Sequence, residues 1–239
     1  MNGLNGPTRT GATAHRVAEL LLDAGCMAVR SDEPFRLPSG WASPVYMDCR
    51  RLVAFPAIRR EIITLGLAQL RADGALKGVS AIAGGETSGI ALAAWMADQL
   101  DLPLLVVRKK PTAQLPVEGV VEPGAQVLLV DDLMAAAQSK IKFRLALSQM
   151  GALVRDLFVV FDYGTFRTET QLAPLGLRAH SLCTWADLLP VASERGIFDD
   201  RSLAEARRFL HNPGSWSQAH GGIAGSAGPA DMASPAPIR

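Results

Sequence analysis

Residues 79–89 read Val-Ser-Ala-Ile-Ala-Gly-Gly-Glu-Thr-Ser-Gly, a short apolar run closed by two glycines, and a helical stretch, Ile90–Leu100, follows at once. The same order recurs downstream. Leu102–Val107 is a second apolar run. Gln126–Val130 is a third, followed by a helical stretch from about Ala136 to Met150, then Leu153–Phe161 and Ala179–Cys183. Apolar runs that are continuous rather than alternating, interleaved with helices, predict a parallel sheet covered on both faces. Upstream, Val17, Leu20, Leu21 and Ala24 recur at helical spacing and Gly25 stops the helix; another helix follows Pro56. Between them residues 26–50 read as short extended pieces and turns, punctuated by Pro34, Pro38, Gly40 and Pro44. Ser202-Leu203-Ala204-Glu205 has the pattern of a capping box opening a last helix.

The chain of 239 residues is long enough to bury roughly 70% of its unfolded surface in one core. Its 24 basic and 23 acidic residues leave a net charge of +1, which gives no case for bulk attraction to nucleic acid or membrane. Although 49% of residues are hydrophobic, no uninterrupted run reaches the ~20 residues that a membrane helix needs. The first dozen residues lack a signal-type apolar stretch. Cys26, Cys49 and Cys183 stand singly, without a CxxC pair, which fits a reducing compartment and excludes a cysteine-rich metal site. His15, His180, His211 and His220 have no partner at ligand spacing and read as incidental. The expectation is a cytoplasmic α/β protein with an arm at 1–12, one domain at 13–213 with a small N-terminal hood at about 26–50, and a Gly/Ala/Ser/Pro-rich, mostly disordered tail at 214–239.

Ligands of parallel sheets sit beyond the carboxyl ends of the strands, and four segments fall there. Gly84, Gly85, Glu86 and Thr87 open a helix whose amides suit phosphate oxygens, or form a tight turn with no ligand. Asp131 and Asp132 end an apolar strand and could accept hydrogen bonds from sugar hydroxyls, or cap the next helix. Arg108, Lys109 and Lys110 could hold a polyphosphate, or be a solvated strand end. Phe35 and its turn-rich surroundings could cover an aromatic ring, or be a plain hood. No P-loop, GxGxxG, GxSxG or HExxH pattern is present.

FRLPSGWASPVYMDCR at 35–50, AGGETSG at 83–89, VRKKP at 107–111 and VLLVDDL at 127–133 together resemble the orotate phosphoribosyltransferases, of the type I phosphoribosyltransferase family. The likeness spans roughly residues 14–222. It implies an open, mainly parallel sheet flanked by helices, with a hood. It also implies transfer of ribose 5-phosphate from phosphoribosyl pyrophosphate (PRPP) to orotate, giving orotidine 5′-monophosphate and pyrophosphate for pyrimidine biosynthesis. By the same resemblance, Gly84–Thr87, Arg108, Lys109 and Lys110 meet the pyrophosphate, and Asp131 and Asp132 hold the ribose hydroxyls as the catalytic pair. Ala135, Ala136, Ala137, Gln138 and Ser139 wrap the 5-phosphate, while Phe35 and Ala135 meet orotate. Mg²⁺ travels mainly on the substrate's oxygens rather than in a protein cage, and the assembly is a homodimer.

Two segments depart from the family pattern. Relatives carry a Thr-Thr-x-Gly-Gly-Ser type loop where this chain has Met134-Ala135-Ala136-Ala137-Gln138-Ser139. Any position there that needs φ > 0 would carry a Cβ penalty of roughly 1 kcal/mol or more, and Met134–Ala137 favours helix by composition. Relatives also follow the basic cluster with a longer loop bearing a lysine and a histidine, where Thr112 and Gln114 stand in a compact, Pro-stiffened connection. Two readings therefore stand: an active transferase, or a non-catalytic relative that binds nucleotide, PRPP or a protein partner.

Overall fold

The computed structural model describes residues 10–37, 40–112, 115–166 and 168–224. Helix α1 (Gly11–Asp23) leads to four short strands, β1 (Met27–Val29), β2 (Phe35–Arg36), β3 (Ala42–Ser43) and β4 (Val45–Met47). A 3-10 segment (Cys49–Ala54) and α2 (Pro56–Ala72) follow, then β5 (Ala81–Gly85), α3 (Ser88–Leu100), β6 (Leu104–Thr112), β7 (Leu115–Glu118), β8 (Gln126–Met134) and α4 (Gln138–Gln149). The chain continues through β9 (Leu153–Asp162), α5 (Thr168–Leu172), β10 (Arg178–Thr184), α6 (Trp185–Glu194), α7 (Asp200–His211) and α8 (Pro213–Ala219).

Six strands form one sheet in the order β10-β9-β8-β5-β6-β7, parallel except for β7, which runs antiparallel to β6. Successive strand residues point to opposite faces, and both faces are covered. Ile82, Leu128, Val130, Phe158 and Val160 join a core with α1, α2, α3 and α6. Their neighbours Ala81, Ala83, Leu129, Leu157 and Val159 pack beneath Phe143 and Leu147 of α4. This is the sheet that the continuous apolar runs predict. The hood strands pair as β1 with β4 and β2 with β3, both antiparallel, around Phe35, Leu37, Trp41 and Tyr46.

Several boundaries differ from the sequence reading. Strand β8 runs on through Asp131–Met134, because β9 continues alongside and pairs Asp131 with Val159 and Met134 with Asp162. Residues 135–137 remain a bend, so the helical expectation for Met134–Ala137 is corrected: α4 starts only at Gln138. The Pro-stiffened connection is an edge strand, β7, with Leu115 opposite Thr112. Pro116 is tolerated there because an edge strand has one unpaired side. Gln114 lies outside the described residues, as do Pro38 and Ser39 of the hood motif. The last-helix box is also corrected. Asp199 caps α7 by accepting from the Ser202 amide at 2.7 Å, while Glu205 accepts from the Trp216 indole at 2.9 Å.

At both ends the described residues reach into the expected arm and tail. Helix α1 takes in Gly11 and Ala12, capped by the Thr10 hydroxyl. The tail opens on a packed helix, α8. Trp216 is buried, stands edge-on to Phe209 and stacks on His220. Ser217 Oγ accepts from the Ala42 amide at 2.9 Å and donates to the Ile223 carbonyl at 2.6 Å, fastening β3 to the C-terminal segment. Residues 1–9 and 225–239 lie outside the described set.

Candidate functional site

The ends of β5, β6 and β8 bring three of the four predicted segments together. At the end of β5, Gly84 and Gly85 are buried, and α3 begins two residues after Glu86. The Glu86–Thr87 peptide is cis. Packing here is close enough to exclude a side chain at Gly89: a Cβ would lie 2.4 Å from the Val130 carbonyl oxygen and 3.0 Å from the Asp131 Cα. The glycine is thus a contact between α3 and the end of β8.

Glu86 does not face solvent idly. Its Oε2 accepts from the Lys109 amide at 2.8 Å and its Oε1 from Arg108 at 3.2 Å. The Lys109 amide first, and Arg108 with it, hold this carboxyl below the usual range. Arg108 also reaches Glu118 on β7 at 2.7 Å, and that contact raises the guanidinium pKa. Lys110 and Thr112 are residues of β6.

Asp131 and Asp132 are both buried at the end of β8. Asp131 Oδ1 accepts from the Asp132 amide at 3.0 Å, and Asp132 Oδ1 from the Leu133 amide at 2.8 Å. Burial, followed by the charge of Asp131, pushes Asp132 up to about 7. The sequence reading missed the third member of this group. Lys140, in the first turn of α4, is buried; its ammonium lies 2.7 Å from Asp131 Oδ2 and 3.2 Å from Ser139 Oγ. A signal for it existed: Lys140, Phe143 and Leu147 share one face of α4, so the helical period sets this lysine on the apolar stripe.

The loop between the acidic pair and α4 is built from Ala135, Ala136 and Ala137, all buried. Ala137 has φ −76° and ψ −2°, and Asp101 is the one non-glycine with positive φ among the described residues. The expected Cβ penalty for the lost glycines is therefore not incurred. Gln138 donates to Gln171 at 3.1 Å. Helices α3 and α4, which start from the β5 and β8 ends, have no side-chain cap. Helix α2 also lacks one, with Pro56 in its first turn, whereas α1, α7 and α8 have Thr10, Asp199 and Asn212 in that role.

Phe35 sits in the hood's own core, 3% exposed, its ring 5.6 Å from Tyr46 and covered by the Arg30 guanidinium at 4.4 Å. A cavity of about 560 Å³ opens elsewhere, over the ends of β9 and β10 between Trp185, Leu189 and Leu210, and no predicted site residue lines it. His180, read as incidental, is buried between two carboxylates, 2.9 Å from Asp73 and 2.8 Å from Asp156. It lies in the N-terminal half of β10, away from the strand ends.

No protein-family model matches the chain. It is 40% identical over 211 residues to the orotate phosphoribosyltransferase of Dinoroseobacter shibae, a match covering 87% of this chain and 93% of the relative. Identity to the orotate phosphoribosyltransferase of Jannaschia sp. is 42% over 209 residues, covering 85% and 91%. Among solved structures, a UMP synthase from Leishmania donovani superposes with a TM-score of 0.73 at 27% identity, over 82% of this chain and 42% of that one. The orotate phosphoribosyltransferase from Aeropyrum pernix gives 0.62 at 30% identity, over 75% and 99%.

Proposed function

Because this chain belongs to the orotate phosphoribosyltransferase family of pyrimidine biosynthesis, we propose that it binds PRPP across the ends of β5, β6 and β8 and transfers its ribose 5-phosphate to orotate. The observation that carries this reading is the acidic pair set between two helix starts that lack side-chain caps. Unpaired amides and the positive end of each helix suit phosphate oxygens. The pyrophosphate would lie at the Gly84–Thr87 turn, against the start of α3 with Lys109 beside it, since the Glu86 amide already donates to the Val107 carbonyl at 2.8 Å, and the 5-phosphate on the amides of Ala135–Ser139. Asp131 and Asp132 would hold the ribose hydroxyls between them.

The reaction builds positive charge at the sugar carbon and negative charge on the departing pyrophosphate. This chain would supply fixed carboxylates for the first and fixed amides and cations for the second. Mg²⁺ would arrive as part of the substrate, on PRPP's own oxygens. A homodimer in the cytoplasm accompanies this reading, on the resemblance; gel filtration checks the first. No helix among the described residues is long and apolar enough to cross a membrane.

One observation favours the non-catalytic reading. Arg108 is drawn into ion pairs with Glu86 and Glu118, on a β6–β7 hairpin where Thr112 takes the place of the family's loop lysine. The deciding experiment is orotate-dependent pyrophosphate release from PRPP and Mg²⁺ by the purified protein. Turnover at ~1–10³ per second sustains the transferase. No turnover, with PRPP still bound in calorimetry, leaves a binding protein.

A further inference from the structure

We infer that Lys140 is a positioning residue of this site: as the counter-ion of Asp131, it keeps the acidic pair and itself an electrically neutral trio around one shared proton, the state that admits a polyanionic sugar phosphate. This rests on the reading of the pair as the sugar-holding group. The geometry comes first. Lys140 Nζ and Asp131 Oδ2 are 2.7 Å apart, and both side chains are 8% exposed. A charge so placed needs a partner, because burial strongly disfavours an unpaired ammonium or carboxylate.

Among the described residues, Lys140 is the cation whose charge acts to lower Asp132. On the strand side stands Asp131, within side-chain hydrogen-bonding reach. On the hood side stand Cys26, Cys49 and Arg50. The thiols are pushed up by burial, Cys26 to about 12, and so are uncharged at neutral pH. Arg50 is committed to Asp48, with Nη2 to Oδ2 at 2.8 Å, and also meets Tyr46 at 3.2 Å. At neutral pH two carboxyls therefore share one proton and one lysine. As pH rises and Asp132 ionises, the trio becomes anionic and should repel PRPP. Lys140 thus sets the pH above which the site closes to its substrate.

The test reads the carboxyl directly, without ligand, by ¹³C NMR of aspartate-labelled protein. In wild type the Asp132 carboxyl titrates near 7. In Lys140→Met, with the lowering influence of the ammonium removed, its midpoint rises by about one unit or more, a tenfold change in proton affinity; Lys140→Arg restores it. PRPP affinity follows, with a wild-type advantage over Lys140→Met of about tenfold at pH 6 that shrinks by pH 8. A packing role alone would lower stability without moving the midpoint or the pH profile. An unchanged midpoint in folded Lys140→Met overturns the inference. If that variant does not fold, Lys140→Gln, which keeps a polar group beside Asp131, decides instead: the Asp132 midpoint rises, whereas a midpoint still near 7 overturns the inference. A wild type that binds no PRPP, with the titration shifts intact, would overturn the proposed function and leave Lys140 as the counter-ion of the pair.

Discussion

Gly89→Ala sets two effects of opposite sign against each other at the contact between α3 and the acidic pair. Gly89 is the second residue of α3, and replacing a helical glycine with alanine stabilises a helix by up to about 1 kcal/mol. Were helix propensity the whole matter, the variant would melt above wild type. The added Cβ, however, would lie 2.4 Å from the Val130 oxygen and 3.0 Å from the Asp131 Cα and Oδ1. Two of these atoms are backbone of a strand paired on both sides, so neither can rotate away. Forcing a methyl into such a space costs about 1–3 kcal/mol, occasionally more, and a 2.4 Å approach belongs at the upper end. The net expectation is a loss of roughly 2 kcal/mol, which in a chain of this size lowers Tm by about 4–8 °C. Gly11→Ala is the control, since its Cβ would meet nothing within 4 Å; it should match wild type or exceed it slightly. Thermal melts of the three proteins decide the point, and a Gly89→Ala Tm at or above wild type would refute the close approach.

Four further outcomes are expected. His180→Leu removes the buried imidazole from between Asp73 and Asp156, which are 3% and 11% exposed, while Arg178 stays 2.9 Å from Asp156; a loss of about 1–3 kcal/mol should appear in urea melts, with PRPP affinity per folded molecule unchanged. Asp132→Asn isolates a pH effect. Because the folded pKa lies above the unfolded one, the folded chain holds the extra proton between pH ~4 and about 7, so wild-type stability falls there by ~1.4 kcal/mol per unit as pH rises. The Asn variant should equal wild type near pH 4, exceed it increasingly up to about pH 7 and level off above that; a constant difference from pH 4 to 7 would remove the argument. Ala137→Gly should repair nothing: at φ −76° and ψ −2° alanine is unstrained, so glycine lowers stability by about 0.4–1 kcal/mol, read as a small drop in the urea midpoint. Ser217→Ala leaves the buried Ala42 amide without its acceptor, and a loss of about 1–3 kcal/mol should accompany faster amide exchange in the hood.

The parallel sheet was legible because its strands, covered on both faces, must be apolar at every position, and Val127–Val130 and Leu157–Phe161 are. Strand ends were less so. Asp131–Met134 belong to β8 because of the neighbour they pair with, and a partner 28 residues away in register, such as Val159 for Asp131, leaves no local trace. The two glycine-rich and acidic segments were readable as strand ends and are close neighbours. Lys140 escaped because a lysine in a helix is ordinarily a solvent-facing residue, and only its place on the stripe with Phe143 and Leu147 marks it as buried. His180 escaped for a different reason. Its own strand phase marks it as inward-facing, but its partners Asp73 and Asp156 come from a helix end and a neighbouring strand. The tail misled through composition: Gly, Ala and Ser around Trp216 suggest little to bury, yet one tryptophan and one serine suffice to dock α8.

The bond between Ser217 and Ala42 joins residues 175 positions apart, and this sets an order in time. At a synthesis rate of roughly 5–20 residues per second, Ala42 waits roughly 9–35 s for its acceptor to be made. The hood strands emerge near the beginning of translation but can be fastened only near its end. The central sheet is made in the interval, so the wall beside the acidic pair is the last to be secured.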